Sequence, residues 1–314
     1  MRSSAVFLLL KSEPRNDLAF WFHVSQHPAL RIKETLTCIL YKYTAPNVAE
    51  SVESATNLET AICSHYQAEK RRKQIEKRFR VTLPLDWEPP PGGLHIYPTQ
   101  MAPFIRRPPE RESGDEAVPD FELVEGRFGL LPGFAKDITF GKNTYNARSE
   151  TVDQLASFKG AWAKARHCIV PCEAIYEPDW RSGKAIPTRF TAANDETLGV
   201  AGLWAPWKNP ATGAWEQSFT MLTINADTHP LFMHMHRPDL KRPPEQQDKR
   251  MVVILPEAQY EEWLDAPVER SREFLIQFPA ERMMMTPEPL PPKEPKPKPE
   301  RARPKQPPAE PSLF

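Results

Sequence analysis

Residues Phe121–Leu131 read FELVEGRFGLL and are followed by Pro132-Gly133-Phe134. Apolar and polar side chains alternate through the run, which puts successive residues on opposite faces of an extended chain, and Pro-Gly supplies the turn that ends it. The stretch therefore reads as a half-buried strand. Working outward, the same signal predicts strands at Cys168–Ile175, Thr188–Thr191, Leu198–Trp204, Phe219–Ile224 and Arg250–Leu255, with a short extended element near His95–Ile105. The strand at Arg250–Leu255 feeds a helix over Pro256–Leu264. Several short strands with few helices and no internal repeat predict a β-rich α+β domain.

The chain has 314 residues, 40% of them apolar, enough for one large core or two small ones. Lysine plus arginine equal aspartate plus glutamate at 41 each, so bulk charge gives no argument for a nucleic-acid partner and only local patches can. Ala5–Leu10 is too short for a signal-peptide core or a membrane span, so a cytoplasmic protein with no membrane contact is expected, and its four cysteines (Cys38, Cys63, Cys168, Cys172) are read as reduced. Cys168 and Cys172 lack a second ligand pair at metal-site spacing and are expected to be packed core thiols, with no metal or other cofactor.

Prolines divide the chain unevenly. Residues 1–61 show no sustained period and are expected to be an irregular extension; 62–285 are expected to form the main domain; 286–314, with 11 prolines among 29 residues, are expected to be a disordered tail. Between them, Gln67–Val81 has the composition of a helix, with Ala68, Ile75 and Phe79 on a narrow apolar face. Seven lysines and arginines cover the remainder, a surface that suits either phosphate contact or solvent.

Four places carry groups suited to chemistry. Cys63 is a candidate nucleophile just ahead of the basic segment. Asn146-Ala147-Arg148 sets an amide beside a guanidinium, a pairing that can hold a phosphate and a neighbouring polar group, although Ser149 also suits a helix N-cap. Glu177 closes a predicted strand, where a side chain can be fixed in a cleft for proton transfer or stand at an exposed edge. His229, His234 and His236 cluster without metal-site spacing, and His236, opening a basic His-Arg-Pro loop, is the candidate for proton transfer.

Taken together, these segments resemble one family, the SOS response-associated peptidase (SRAP) proteins. The likeness is carried by Cys63-Ser64-His65-Tyr66, residues 95–100 (HIYPTQ), 126–132 (GRFGLLP) and 146–151 (NARSET), Cys168–Pro171, Tyr176-Glu177, 201–204 (AGLW), 223–226 (TINA), His236-Arg237-Pro238 and 249–255 (KRMVVIL). It implies a single barrel-like domain of packed sheets with peripheral helices. It also implies covalent capture of abasic sites in single-stranded DNA, with associated autoproteolytic or peptidase activity in the DNA-damage response, by a bacterial monomer that becomes nucleoid-associated on DNA.

Residue by residue, the resemblance assigns Cys63 as the reacting cysteine, Asn146 as the group that orients amine or sugar, Glu177 as acid/base and His236 as the aid to sugar opening. DNA contact falls to Arg148, Arg127, Phe128, Phe134 and His65. Phe128 and Phe134 stand where the family often has tryptophan, and Ser64-His65 where many members have Gly-Arg. The family's chemistry needs a free α-amine on the cysteine, and here Ile62 precedes it. A translation start at position 62 is the expected explanation, with cleavage of the extension or an inactive variant as the alternatives. Two other functions suit the same residues: a thiol peptidase using a Cys63–His236 pair with Glu177 as orienter, and a non-catalytic single-strand-binding module. Ser312-Leu313-Phe314 loosely resembles bacterial ends that bind the replication sliding clamp.

Overall fold

In a computed structural model of the chain, residues 64–89 and 94–288 are described, and all of them fall in one compact unit. Cys63, residues 1–61 and the clamp-like end lie outside the described residues. Twelve strands form a single hydrogen-bonded sheet system: β1 His65–Ala68, β2 His95–Ile96, β3 Met101–Arg106, β4 Glu122–Phe128, β5 Asn146–Arg148, β6 His167–Asp179, β7 Ile186–Ala192, β8 Leu198–Lys208, β9 Trp215–Asn225, β10 Arg250–Val252, β11 Ile254–Leu255 and β12 Met283–Pro287. Pairings β8-β9-β4-β3-β6 and back to β8 close a five-stranded barrel, in which only β4 and β9 run parallel. Closure pairs the strand edges that an open sheet would leave exposed.

Among the described residues, three short α-helices lie at the periphery: α1 Arg72–Phe79, α2 Lys159–Trp162 and α3 Tyr260–Asp265. The expected strand at Phe121–Leu131 is β4; Arg250–Leu255 divides into β10 on β9 and β11 on β8, the element near His95–Ile105 divides into β2 and β3, and the others are found with shifted ends. Cys168 and Cys172 are free thiols with no exposed surface, and burial raises both well above the usual range for a thiol.

The strand that organises the rest is β6, at 13 residues the longest. Its first half, His167–Cys172, pairs with β8 inside the barrel. Its second half leaves the barrel between β1, which pairs with residues 172–176, and β7, which pairs with 175–179. A register shift between Gln67 and Ala68 marks the change of direction, as a bulge does when it bends a strand. Glu177 therefore stands at a strand end held from both sides.

Three expectations are corrected. The helix expected from Gln67 begins at Arg72, because Gln67 and Ala68 complete β1 and Glu69 breaks the run. Glu69 is fully buried and accepts hydrogen bonds from the Lys70 and Arg71 backbone N–H groups, the Arg71 guanidinium and the Thr197 hydroxyl. No helix starts at Ser149; Asn146–Arg148 pairs as β5 with β9, and turns follow. Thr286 and Pro287, assigned to the tail, close β12 against Thr188 and Arg189 of β7.

Candidate active site

Glu177 and His236 meet. Glu177 Oε2 and His236 Nε2 are 3.0 Å apart, with the carboxylate side chain 1% exposed and the imidazole 13% exposed. They come from distant parts of the sequence, and the backbone explains how they are brought together. The His236 N–H donates to Pro178 O at 2.8 Å, Trp180 N–H donates to His234 O at 3.2 Å, and Asp179 and Met235 form an antiparallel bridge. The loop is thus zipped to the end of β6, one residue beyond Glu177.

His236 sits at φ +61°, in the left-handed region that non-glycine residues rarely occupy. Such a conformation persists when its surroundings over-determine it. Lys249 supplies the constraint: its Nζ donates to Met235 O at 2.7 Å and His236 O at 2.8 Å, and the residue is 5% exposed. Burial pulls the Lys249 ammonium below its ordinary range, while Asp227 opposes that shift. Asp227 also accepts the backbone N–H groups of Asp248 and Lys249, fixing the segment that carries the lysine.

The chain enters β1 at Ser64, and the pairing of His65 with Tyr176 brings that entry alongside the Glu177 end of β6. On β5, Asn146 and Arg148 share a face, with Ala147 buried on the other. Arg148 Nη1 reaches Asp248 Oδ2 at 2.8 Å, which turns that face toward the segment after His236. Arg148 remains 42% exposed.

Several assigned contacts are revised. Phe128 has no exposed surface; Tyr66, Tyr145 and Phe219 surround it at ring-centroid distances of 5.2, 5.7 and 5.5 Å, so it is core and not a surface for a base. Phe134 is 56% exposed and does present a ring to solvent. Arg127 is committed to Glu216 at 2.6 Å and to Thr99 O at 3.3 Å, so its charge is spent on holding a turn. His65 is no replacement for a phosphate-binding arginine, since burial and then neighbouring His95 lower its pKa to about 4 and leave it neutral at pH 7. On the basic helix, Arg72, Arg78 and Arg80 all pair with carboxylates, as does Arg71 ahead of it, so the guanidinium groups there act as struts rather than as a phosphate surface.

The three neighbouring histidines separate. His229 is 2% exposed and bonds Phe278 O through Nε2 at 2.8 Å while Nδ1 accepts backbone N–H groups of Leu231 and Phe232. Among the described residues no three His, Cys, Asp or Glu side chains converge as a metal site, and no helix is long and apolar enough to cross a membrane. A cavity of about 240 Å³ lined by Arg78, Thr197, Tyr260 and Arg282 contains neither Glu177 nor His236.

The sequence profile of the SOS response associated peptidase family matches residues 62–288, most of the chain. The chain belongs to the SRAP family. Relatives include the abasic site processing protein YoqW of Bacillus subtilis, 30% identical over 140 residues, covering 44% of this chain and 55% of YoqW. The chicken abasic site processing protein HMCES is 28% identical over 137 residues, covering 37% and 41%. The chain spans about half the length of the curated relatives it matches. A crystal structure of a Bordetella bronchiseptica protein superposes with a TM-score of 0.61 at 44% identity, over 73% of this chain and all of the other. A second, from Bacteroides thetaiotaomicron, shares the fold at 19% identity with a TM-score of 0.56, over 71% and 90%.

Proposed function

We propose that this SRAP domain captures abasic sites in single-stranded DNA through Cys63. The supporting observation is the buried Glu177–His236 contact at the end of β6, beside the strand that Ser64 enters. Cys63 is joined to Ser64 by one peptide bond, so its Cα lies about 3.8 Å from that of Ser64.

A ring-opened abasic site presents an aldehyde. The α-amine of an N-terminal cysteine, with a pKa of about 8, attacks that carbon more readily at neutral pH than a lysine at about 10.4. Condensation releases one water and leaves an imine; the thiol then adds across the C=N bond, its proton passing to nitrogen, and closes a five-membered thiazolidine. A group that both donates and accepts protons serves the dehydration; in this reading Glu177 takes that role, with His236 assisting sugar opening and Asn146 orienting the amine. This chemistry requires Cys63 to carry a free amine, and therefore release of residues 1–62 or translation from position 62. The cytoplasmic, nucleoid-associated setting and any peptidase activity belong to this reading, as does clamp binding through Ser312-Leu313-Phe314. Loss of sliding-clamp capture on deleting those three residues supports the last point, and unchanged capture removes it.

The test mixes the purified protein with a single-stranded abasic oligonucleotide and looks for a heat-stable shifted band. The expected result is a band that disappears in Cys63→Ala. Its absence from wild-type protein whose mature N-terminus is Cys63 overturns the proposal; reversible, salt-sensitive binding alone favours the binding-module reading.

A further inference from the structure

Three aromatic rings form a continuous stack next to the candidate site. His65 is the middle layer, 4.4 Å from Tyr97 with the planes 9° apart, and 4.2 Å from Tyr176 with the planes 13° apart. Tyr176, at 8% exposed, is the buried base of the stack and immediately precedes Glu177. Tyr97, at 47% exposed, is its outer layer. Burial keeps the central imidazole uncharged at neutral pH, and its Nε2 lies 2.7 Å from His95 Nδ1, which fixes the ring in the plane of the stack.

The outer ring stands on a rigid turn. The Tyr97 N–H donates to Gln100 Oε1 at 2.8 Å and Gln100 N–H returns to Tyr97 O at 3.1 Å. Thr99 within this turn sits at φ +77°, a costly place for a β-branched residue, and its N–H is tied to Phe128 O at 2.6 Å while Arg127 holds its carbonyl. A Cβ added at Gly141 would lie 3.4 Å from Thr99 Cγ2, so the segment Ile138–Asn143 passes close to this turn. A strained, hydrogen-bonded turn that holds a half-exposed ring offers a fixed flat face to a ligand.

We propose that the outer face of Tyr97, backed by His65 and Tyr176, is a stacking platform for an unpaired nucleobase flanking the reacting position. The platform rests on the single-stranded DNA reading above. Its recognition is sequence-tolerant, since every base has a π-face, and it adds no phosphate contact.

Undamaged single-stranded oligonucleotides carrying one 2-aminopurine test it, with the fluorescent base moved along the strand. Wild-type protein is expected to quench the probe at one position by stacking, and Tyr97→Ala to abolish that quenching and weaken binding about tenfold, within the range of single base–aromatic stacks. Tyr97→Trp should restore both, and the slope of affinity against salt should be the same in all three proteins, because no counterion-releasing contact changes. Unchanged quenching and affinity in Tyr97→Ala, with wild type binding normally, overturns the platform and leaves the proposed function standing. A wild-type protein that does not bind the oligonucleotide overturns both. A thermal melt of Tyr97→Ala matching wild type excludes misfolding as the cause of any loss.

Discussion

The smallest unit on which the site depends is the Glu177–His236 contact. In the proposed reaction the carboxyl is needed for proton transfer and not for holding DNA, so Glu177→Gln should slow crosslinking by about 10²- to 10⁴-fold. Affinity for an undamaged single strand should stay the same; a rate within a factor of about two of wild type would remove Glu177 from the mechanism. Lys249 acts one step away, as a positioning residue. With both carbonyl contacts gone, Lys249→Met should lower the maximal crosslinking rate at unchanged half-saturating DNA, and Lys249→Arg should recover part of it. Equal losses in both variants with a lowered melting temperature would mean that Lys249 serves the fold alone. Neither pairing was legible from spacing. Glu177 and His236 lie in separate segments; a strand end and a basic loop mark each as a group for proton transfer, but nothing in the sequence says that the two meet. The resemblance assigns Phe128 to DNA, and the alternation of its strand offers no check on that, because alternation does not say which face meets water; the ring is buried.

Among the elements, the long strands were legible because their apolar residues are numerous enough to fix a period of two. The shortest strands were not. Asn146–Arg148 is three residues of largely polar sequence, and its strand character comes entirely from pairing with β9. Gln67-Ala68 was drawn into the helix by the lysines and arginines that follow, and β12 was hidden beside a run of prolines. The turn-and-loop pair next to β4 is tightly constrained. Gly129 sits at φ +121°, and a Cβ there would lie 2.3 Å from Gly141 O. Gly129→Ala should therefore destabilise the domain by more than about 1 kcal/mol, combining strain and steric contact. A urea midpoint equal to wild type, at an unchanged slope, would contradict that reading.

For the whole molecule, the closed barrel makes stability depend on groups buried far from the site. His167 begins β6 at 2% exposed, its ring stacked on Trp263 at 3.9 Å and its Nε2 2.9 Å from the Ser271 hydroxyl. Burial lowers its pKa to about 4, against 6.5 for the exposed side chain. Between those values the unfolded chain binds more protons than the folded one, so stability must fall as the pH drops from 6.5 toward 4 and then stop falling on this account. The contribution is at most about 3 kcal/mol. Chemical denaturation across this window should show a shallower pH slope in His167→Gln than in wild type, and parallel slopes would refute it.

The central claim, that a SRAP domain reacts through both the nitrogen and the sulfur of Cys63, is tested most directly by the intact mass of the crosslinked product before and after borohydride treatment. The account predicts a protein beginning at Cys63 joined to the oligonucleotide with loss of one water, and a mass unchanged by borohydride because the thiazolidine has no imine left to reduce. A product that gains two hydrogens, or one whose protein part still carries Met1, would contradict it.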